Sequence, residues 1–224
     1  MVGPPPVSRF WKGRALSSRI VYVVDDDRNV RLMLSYMLGD ADLQSRPFAS
    51  GSDFLSALPD LDPGCILLDV RMPDMDGLAV MAELARRAVG WPVVFMTGHG
   101  EVPVAVEAMK LGAIDFLQKP FSEEALLASF ERGFTLLDER KAATTRRADA
   151  LARVELLSSR EREVLQGLLA GLPNKQIADR LGISLRTVEM HRGNMMDRLG
   201  VDNLAEALTL AMESGLTALV AKAG

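Results

Sequence analysis

Between residues 20 and 140, short apolar runs alternate with stretches of helical spacing, and the runs stop at polar groups. Ile20–Val24 is β-branched and is followed by Asp25 and Asp26. Cys65–Asp69 closes on a carboxylate, 92–97 closes on Thr97, and 114–118 is followed by Lys119 and Pro120. A weaker strand at 43–48 completes the set of five. Helical spacing falls at 29–38, 52–58, 77–88 and 102–111, and Ser122 starts a further helix. Short runs that are apolar throughout suit strands buried on both faces. Strands and helices in strict alternation predict a parallel α/β sheet covered on both sides, with right-handed crossovers.

In such a sheet the carboxyl ends of the strands share one edge, where open α/β folds bind ligands. That edge should gather Asp25, Asp26, Asp69, Thr97 and Lys119. Taken alone, an Asp at a strand end is a turn former or a helix cap, and Asp27 is read that way, as the N-cap of the next helix. The five together say more. Three carboxylates at close quarters repel unless a cation joins them. Oxygen-only ligands select a hard ion, and few ligands with room for water suit Mg²⁺. One carboxylate can then act as a nucleophile toward phosphorus, with the ion, Lys119 and Thr97 holding the phosphoryl oxygens.

The period changes after residue 122. Phe130, Phe134 and Leu137 lie at i, i+4, i+7 and should pack on the sheet domain. Residues 138–153 are charged and Ala-rich with no Gly or Pro, which fits a helical connector or a flexible linker. Lys141 and Thr144 fall in the apolar register and weigh against a coiled coil. A helix at 159–170 starts at Ser159 and is broken by Gly171 and Pro173. Asn174 can cap a short helix that ends at Gly182, and Ser184 caps Leu185–Leu199. Two helices around a tight Gly-containing turn predict a helix-turn-helix. The second helix buries Val188, Met195 and Leu199 and leaves a polar face fit for a major groove. A last helix at 204–212 carries Leu204, Leu208 and Ala211 on one side.

Charge separates the segments. Residues 1–19 hold no acids and 4 bases, 20–140 hold 20 acids and 10 bases, and 141–224 hold 10 acids and 12 bases. An acidic segment beside a slightly basic one indicates separate tasks. The first 19 residues, with Pro4, Pro5 and Pro6, read as a disordered leader, either inert or docking through Phe10 and Trp11. No apolar run is long enough to span a bilayer, and the N-terminus lacks a secretory pattern. The single Cys65 lies in an apolar run, so no disulfide framework is expected, which points to the cytoplasm.

Residues 20–140 resemble the receiver domain of two-component response regulators. The matching motifs are Val23, Val24, Asp25, Asp26; the run from Leu68 through Asp69, Pro73 and Asp76 to Gly77; Met96, Thr97, Gly98; and Lys119, Pro120, Phe121. The resemblance implies a flavodoxin-like five-stranded parallel sheet with helices on both faces. It implies that Asp69 accepts a phosphoryl group from a partner sensor histidine kinase. It further implies Mg²⁺ held by Asp26, Asp69 and the backbone carbonyl of Arg71, with Asp25 acting through water. Thr97 and Phe116 look like a switch pair, and Lys119 like the phosphoryl partner. Arg71 and His99 occupy positions that tune hydrolysis of the acyl phosphate; for His99 a solvated loop residue is an equal reading. The C-terminal segment resembles the output domain of LuxR-type regulators through Leu157, Ser158, Ser159, Arg160, Glu161; Asn174, Lys175, Gln176, Ile177, Ala178; Leu181, Gly182, Ile183, Ser184; Thr187, Val188; and His191. This implies an all-α helix-turn-helix domain joined by a helical linker. The pairing of domains, and 170–175 in particular, looks like the FixJ group.

The resulting organisation is a leader at 1–19, a receiver at 20–138, a helical linker at 139–156 and a DNA-binding domain at 157–224. By resemblance, Lys175, Arg186, Thr187, His191 and Arg192 contact phosphates of double-stranded promoter DNA. Glu189, Met190 and Gly193 face base edges, where a glutamate can accept from cytosine N4. By the same resemblance the face Val102–Phe116, with Val102 and Val106, is expected to form a homodimer on phosphorylation, and Leu204 and Leu208 a DNA-bound dimer or plain core packing. RNA polymerase is an expected partner and a membrane is not. Shifting such a switch from 1:99 to 99:1 takes about 5.5 kcal/mol of differential stabilisation. Two rival classes are an aspartyl-phosphate phosphatase or phosphotransferase acting on a small substrate, and a protein-binding adaptor whose helix-turn-helix no longer binds DNA. Arg71, where such phosphatases carry a second Asp, argues against turnover of external substrates.

Overall fold

Strands that bury both faces need two helical layers, and the computed structural model has them. It describes residues 19–98 and 102–219, so the expectations for Phe10, Trp11 and His99 lie outside the described residues. The chain divides into two compact units with the boundary after Glu139.

In the first unit the described residues form β1 (Ile20–Val24), α1 (Arg28–Asp40), β2 (Gln44–Phe48), α2 (Gly51–Ala57), β3 (Cys65–Asp69), α3 (Gly77–Arg86), β4 (Val93–Thr97), α4 (Val102–Lys110), β5 (Asp115–Gln118) and the start of α5 (Glu123–Glu155). All pairings are parallel, in the order β2-β1-β3-β4-β5. Alternate residues of one strand serve opposite faces. Tyr22, Val24, Ile66, Leu68 and Phe95 pack with Phe54 of α2, Val80 and Leu84 of α3, and Ala108 of α4. Val21, Val23, Leu67, Val94 and Met96 pack with Leu34 and Leu38 of α1 and with Leu126, Phe130 and Phe134 of α5. β1, β3 and β4 therefore carry no polar alternation. β2, at one edge, is half-exposed and tolerates Pro47.

The second unit holds the end of α5, then α6 (Ser159–Leu169), α7 (Asn174–Leu181), α8 (Leu185–Leu199) and α9 (Leu204–Ser214). Its core joins Ala150 and Val154 of α5 to Val164, Leu165, Ile177, Val188, Met195, Leu199, Ala207, Leu210 and Ala211. Of the two readings of 138–153, α5 takes the helical one, running without a break to Glu155. The α7–α8 turn needs Gly182, whose φ of 66° is the left-handed region that penalises a Cβ.

Three local expectations change. The cap of α6 is Ser158, not Ser159: its hydroxyl accepts the Glu161 N–H while the Glu161 carboxylate accepts the Ser158 N–H. Asn174 does not cap α7, which starts behind Pro173 with no side-chain cap; its side chain is engaged with α8 instead. On α9 the buried stripe is Ala207, Leu210 and Ala211, with Leu208 only partly packed and Leu204 exposed. A helix turns 100° per residue, so a stripe read one position off faces a different neighbour.

Candidate functional site

The parallel register decides where the polar strand ends go. Val24 pairs with Leu68 and Asp69 with Met96, so the residues just beyond β1 and at the ends of β3 and β4 lie side by side. Asp25, Asp69 and Thr97 are all buried. The Lys119 ammonium lies between the two acids, 2.7 Å from Asp25 Oδ2 and 2.6 Å from Asp69 Oδ1. The second Asp69 oxygen accepts the Arg71 N–H at 2.8 Å. Asp25 Oδ1 accepts the Asp27 N–H at 2.7 Å. The Lys119 N–H donates to the Thr97 carbonyl at 2.7 Å, joining the ends of β4 and β5. Gly77 lets α3 close over β3, since a Cβ there would collide with the Asp69 carbonyl oxygen.

Burial is the main influence on Asp69 and raises its pKa; the Lys119 hydrogen bond and charge oppose this without cancelling it, and Asp25 pushes the same way as burial. For Lys119 burial is again the largest influence and acts downward, but the hydrogen bonds and charges of Asp25 and Asp69 outweigh it and raise the pKa. The result is a carboxylate that is costly to ionise and sits beside a single shared cation.

Of the residues expected at this edge, the fold brings Asp25, Asp69 and Lys119 into direct contact, with Thr97 adjoining. Asp26 is exposed, and among the described residues no three acidic, His or Cys side chains gather into a metal cage. Both Asp25 oxygens are engaged, one with Lys119 and one with the Asp27 N–H. The donors on this edge are all oxygens, from buried Asp25 and Asp69 and exposed Asp26, which is the chemistry Mg²⁺ prefers. Phe116 is half-buried, its ring stacked at 6.4 Å from Phe95. Sequence reasoning missed Arg31, whose guanidinium donates to the Asp25 carbonyl at 2.6 Å. Asp27 does cap α1, accepting the Asn29 N–H at 2.7 Å.

A second candidate face lies on α7 and α8. Lys175, Arg186, Glu189, Met190 and Gly193 are exposed; Thr187, His191 and Arg192 are half-buried. Ser184 caps α8 by accepting the Thr187 N–H at 3.1 Å, and the two hydroxyls are 2.8 Å apart. Arg192 Nη1 donates to Asn174 Oδ1 at 2.7 Å, pinning α8 to the start of α7. Behind them Glu161 is enclosed. Burial is the largest influence on it and acts upward, yet the Ser158 N–H and hydroxyl, with Arg198 and His191, hold its carboxyl below the usual range.

A doubly covered parallel sheet with this acid–ammonium edge, followed by a four-helix unit built around a helix-turn-helix, defines a receiver coupled to a DNA-binding output domain. The family model for the response regulator receiver domain matches residues 21–131, and that for bacterial regulatory proteins of the luxR family matches residues 155–211. The transcriptional regulatory protein FixJ of Bradyrhizobium diazoefficiens is 43% identical over 196 residues, covering 88% of this chain and 96% of that protein. Among solved structures, the response regulator StyR superposes with a TM-score of 0.75 at 42% identity, over 88% of this chain and 100% of StyR. Full-length FixJ from B. japonicum gives 0.56 at 42% identity, over 88% and 98%. The chain belongs to the response regulators with a LuxR-type output domain, and within them to the FixJ-like transcriptional regulators. That family is one of transcriptional switches rather than turnover enzymes. Among the described residues no helix is long and apolar enough to cross a membrane.

Proposed function

We propose that Asp69 is the phosphoacceptor of this regulator, taking a phosphoryl group from a cognate sensor histidine kinase in the cytoplasm. The observation that carries the reading is the Lys119 ammonium held between Asp25 and Asp69. A carboxylate oxygen of Asp69 attacks phosphorus, and the bond from phosphorus to the donor histidine breaks. Asp26, Asp69 and the Arg71 carbonyl would hold Mg²⁺, with Asp25 acting through water; the ion, when bound, supplies positive charge for the phosphoryl oxygens. Lys119 moves its donors from the acids toward the new phosphoryl oxygens. The Thr97 hydroxyl closes on the same group and Phe116 follows inward. Arg71, exposed at the rim, tunes hydrolysis.

The readout we propose is dimerisation and operator binding. On α4, Val102 is 72% and Val106 47% exposed, an apolar face suited to a second phosphorylated copy. Leu204 is exposed on α9 and Leu208 half-buried, which suits a contact between two DNA-bound domains. Lys175, Arg186, Thr187, His191 and Arg192 meet phosphates, and Glu189 and Met190 meet base edges; Gly193 permits close approach without reading. Promoter-bound dimers then contact RNA polymerase. Asp69→Asn should take up no label from an acyl-phosphate donor with Mg²⁺ and should stay monomeric on size exclusion. Labelling of that variant to the wild-type extent would overturn the assignment.

A further inference from the structure

The far end of α8 is fastened to the α5–α6 turn and to the first turn of α6 by contacts from Arg198. Glu161 is 2% exposed. Its Oε2 accepts the Ser158 N–H at 2.9 Å and lies 3.1 Å from Arg198 Nη1 of α8. The same nitrogen is 3.4 Å from the Leu156 carbonyl. In the opposite direction Arg153 of α5 donates to the Leu199 carbonyl at 3.3 Å. A capping box works with a solvated glutamate. The Glu161 carboxylate is enclosed while the Arg198 side chain is half-exposed, and an ion pair with one partner in solvent is a modest source of stability. What such a pair supplies is direction.

Most of the α8 interface lacks such direction. Val188, Met195 and Leu199 hold α8 to the core by apolar contact, which is non-directional. Among the described residues the side-chain hydrogen bond from α8 to α7 is Arg192–Asn174, and at the other end of α8 Arg198 is held by its hydrogen bond to the Leu156 carbonyl and its ion pair with Glu161. From Arg186 to Arg198 the helix rises about 18 Å at 1.5 Å per residue. A tilt of about 10° at the Arg198 end therefore moves the Arg186 end by roughly 3 Å, a full hydrogen-bond length. That displacement breaks a base-edge hydrogen bond, whereas flexible lysines and arginines still reach phosphates.

We propose that Glu161 and Arg198 are positioning residues for base readout, setting the angle at which α8 meets the groove. The proposal rests on the reading of α8 as the DNA-contacting helix. The pair governs discrimination between sequences rather than attraction to DNA as such.

The test uses the full-length chain, a duplex selected from a random pool by the wild type, and a scrambled duplex of equal length. Affinities are measured by anisotropy across a salt series, at a temperature where circular dichroism reports folded protein. In Arg198→Met and Glu161→Gln the ratio of the two affinities should fall about tenfold, the size of one lost base contact. The salt slope should stay at the wild-type value, and Arg198→Lys should recover part of the ratio. Glu161→Gln also perturbs the cap of α6; should it unfold, Arg198→Met, which leaves that cap intact, decides alone. A ratio within twofold of wild type, or equal losses on both duplexes, overturns the proposal. Wild-type protein with no salt-dependent binding to either duplex overturns instead the DNA-binding reading on which it stands.

Discussion

At the sheet edge Asp25 and Asp69 are nearly sealed from water and share one ammonium, whereas on α8 Arg186, Glu189 and Met190 stand in solvent. Both regions carry chemistry, yet their residues are not equally replaceable. In the pocket two buried carboxylates depend on one ammonium, so removing Lys119 leaves both unpaired. On the outer face of α8 each side chain is solvated before and after substitution, and its contribution adds to the others. A switch benefits from the first arrangement because a single event changes the whole balance. A groove reader benefits from the second because affinity can be divided among many weak contacts.

Lys119→Met should produce the largest effect. It strands two buried carboxylates and should destabilise the receiver by about 3–5 kcal/mol, read as a lower urea midpoint, with phosphoryl uptake at least about a hundredfold slower. A variant with the wild-type midpoint would erase the contrast between the two regions. The pH dependence should follow from Asp69. Its folded pKa is raised above the unfolded value, so within that interval the folded state holds the proton more tightly. Receiver stability should therefore fall as pH rises through the interval, and Asp69→Asn should flatten the slope. Urea midpoints between pH 4 and 7 check this, and a wild-type slope in the variant would contradict it.

Smaller effects belong to the helical unit. Ser158→Ala removes half of the α6 capping box and should cost about 1 kcal/mol by thermal melting; Ser159→Ala, one residue on, should cost little. Lys175→Ala should weaken binding to selected and scrambled DNA alike and lower the salt slope by about one. Met190→Ala should change stability by less than about 0.5 kcal/mol, because its side chain is 53% exposed. A loss of several kcal/mol there would mean that the outer face of α8 is as interdependent as the pocket.

The sheet was legible because its strands announce themselves twice, by unbroken apolar runs and by the polar groups that end them. Cys65–Asp69 was read with the bounds it has in the structure. The sequence places Asp25, Asp69, Thr97 and Lys119 on one edge, since parallel strands force it. Asp27 and Ser184 were legible as caps because each precedes a helical period. The choice between Ser158 and Ser159 was not, because neighbouring serines have equal capping chemistry and the α5–α6 turn selects one. Asn174 has the same capping chemistry, but it is the first residue inside α7, behind Pro173, and its oxygen accepts from Arg192.

The order of residues settled which strands are buried, where most helices fall, and which polar groups share an edge, because burial and periodicity are local properties; it left 138–153 open between helix and flexible linker. It did not settle partners. Lys119 bridges to Asp25 across 94 positions, Arg31 reaches the Asp25 carbonyl, and Arg198 finds Glu161. Such pairs leave no periodic trace in a chain; they exist only once packing has brought distant, flexible side chains within bonding reach and excluded the water that would otherwise satisfy them.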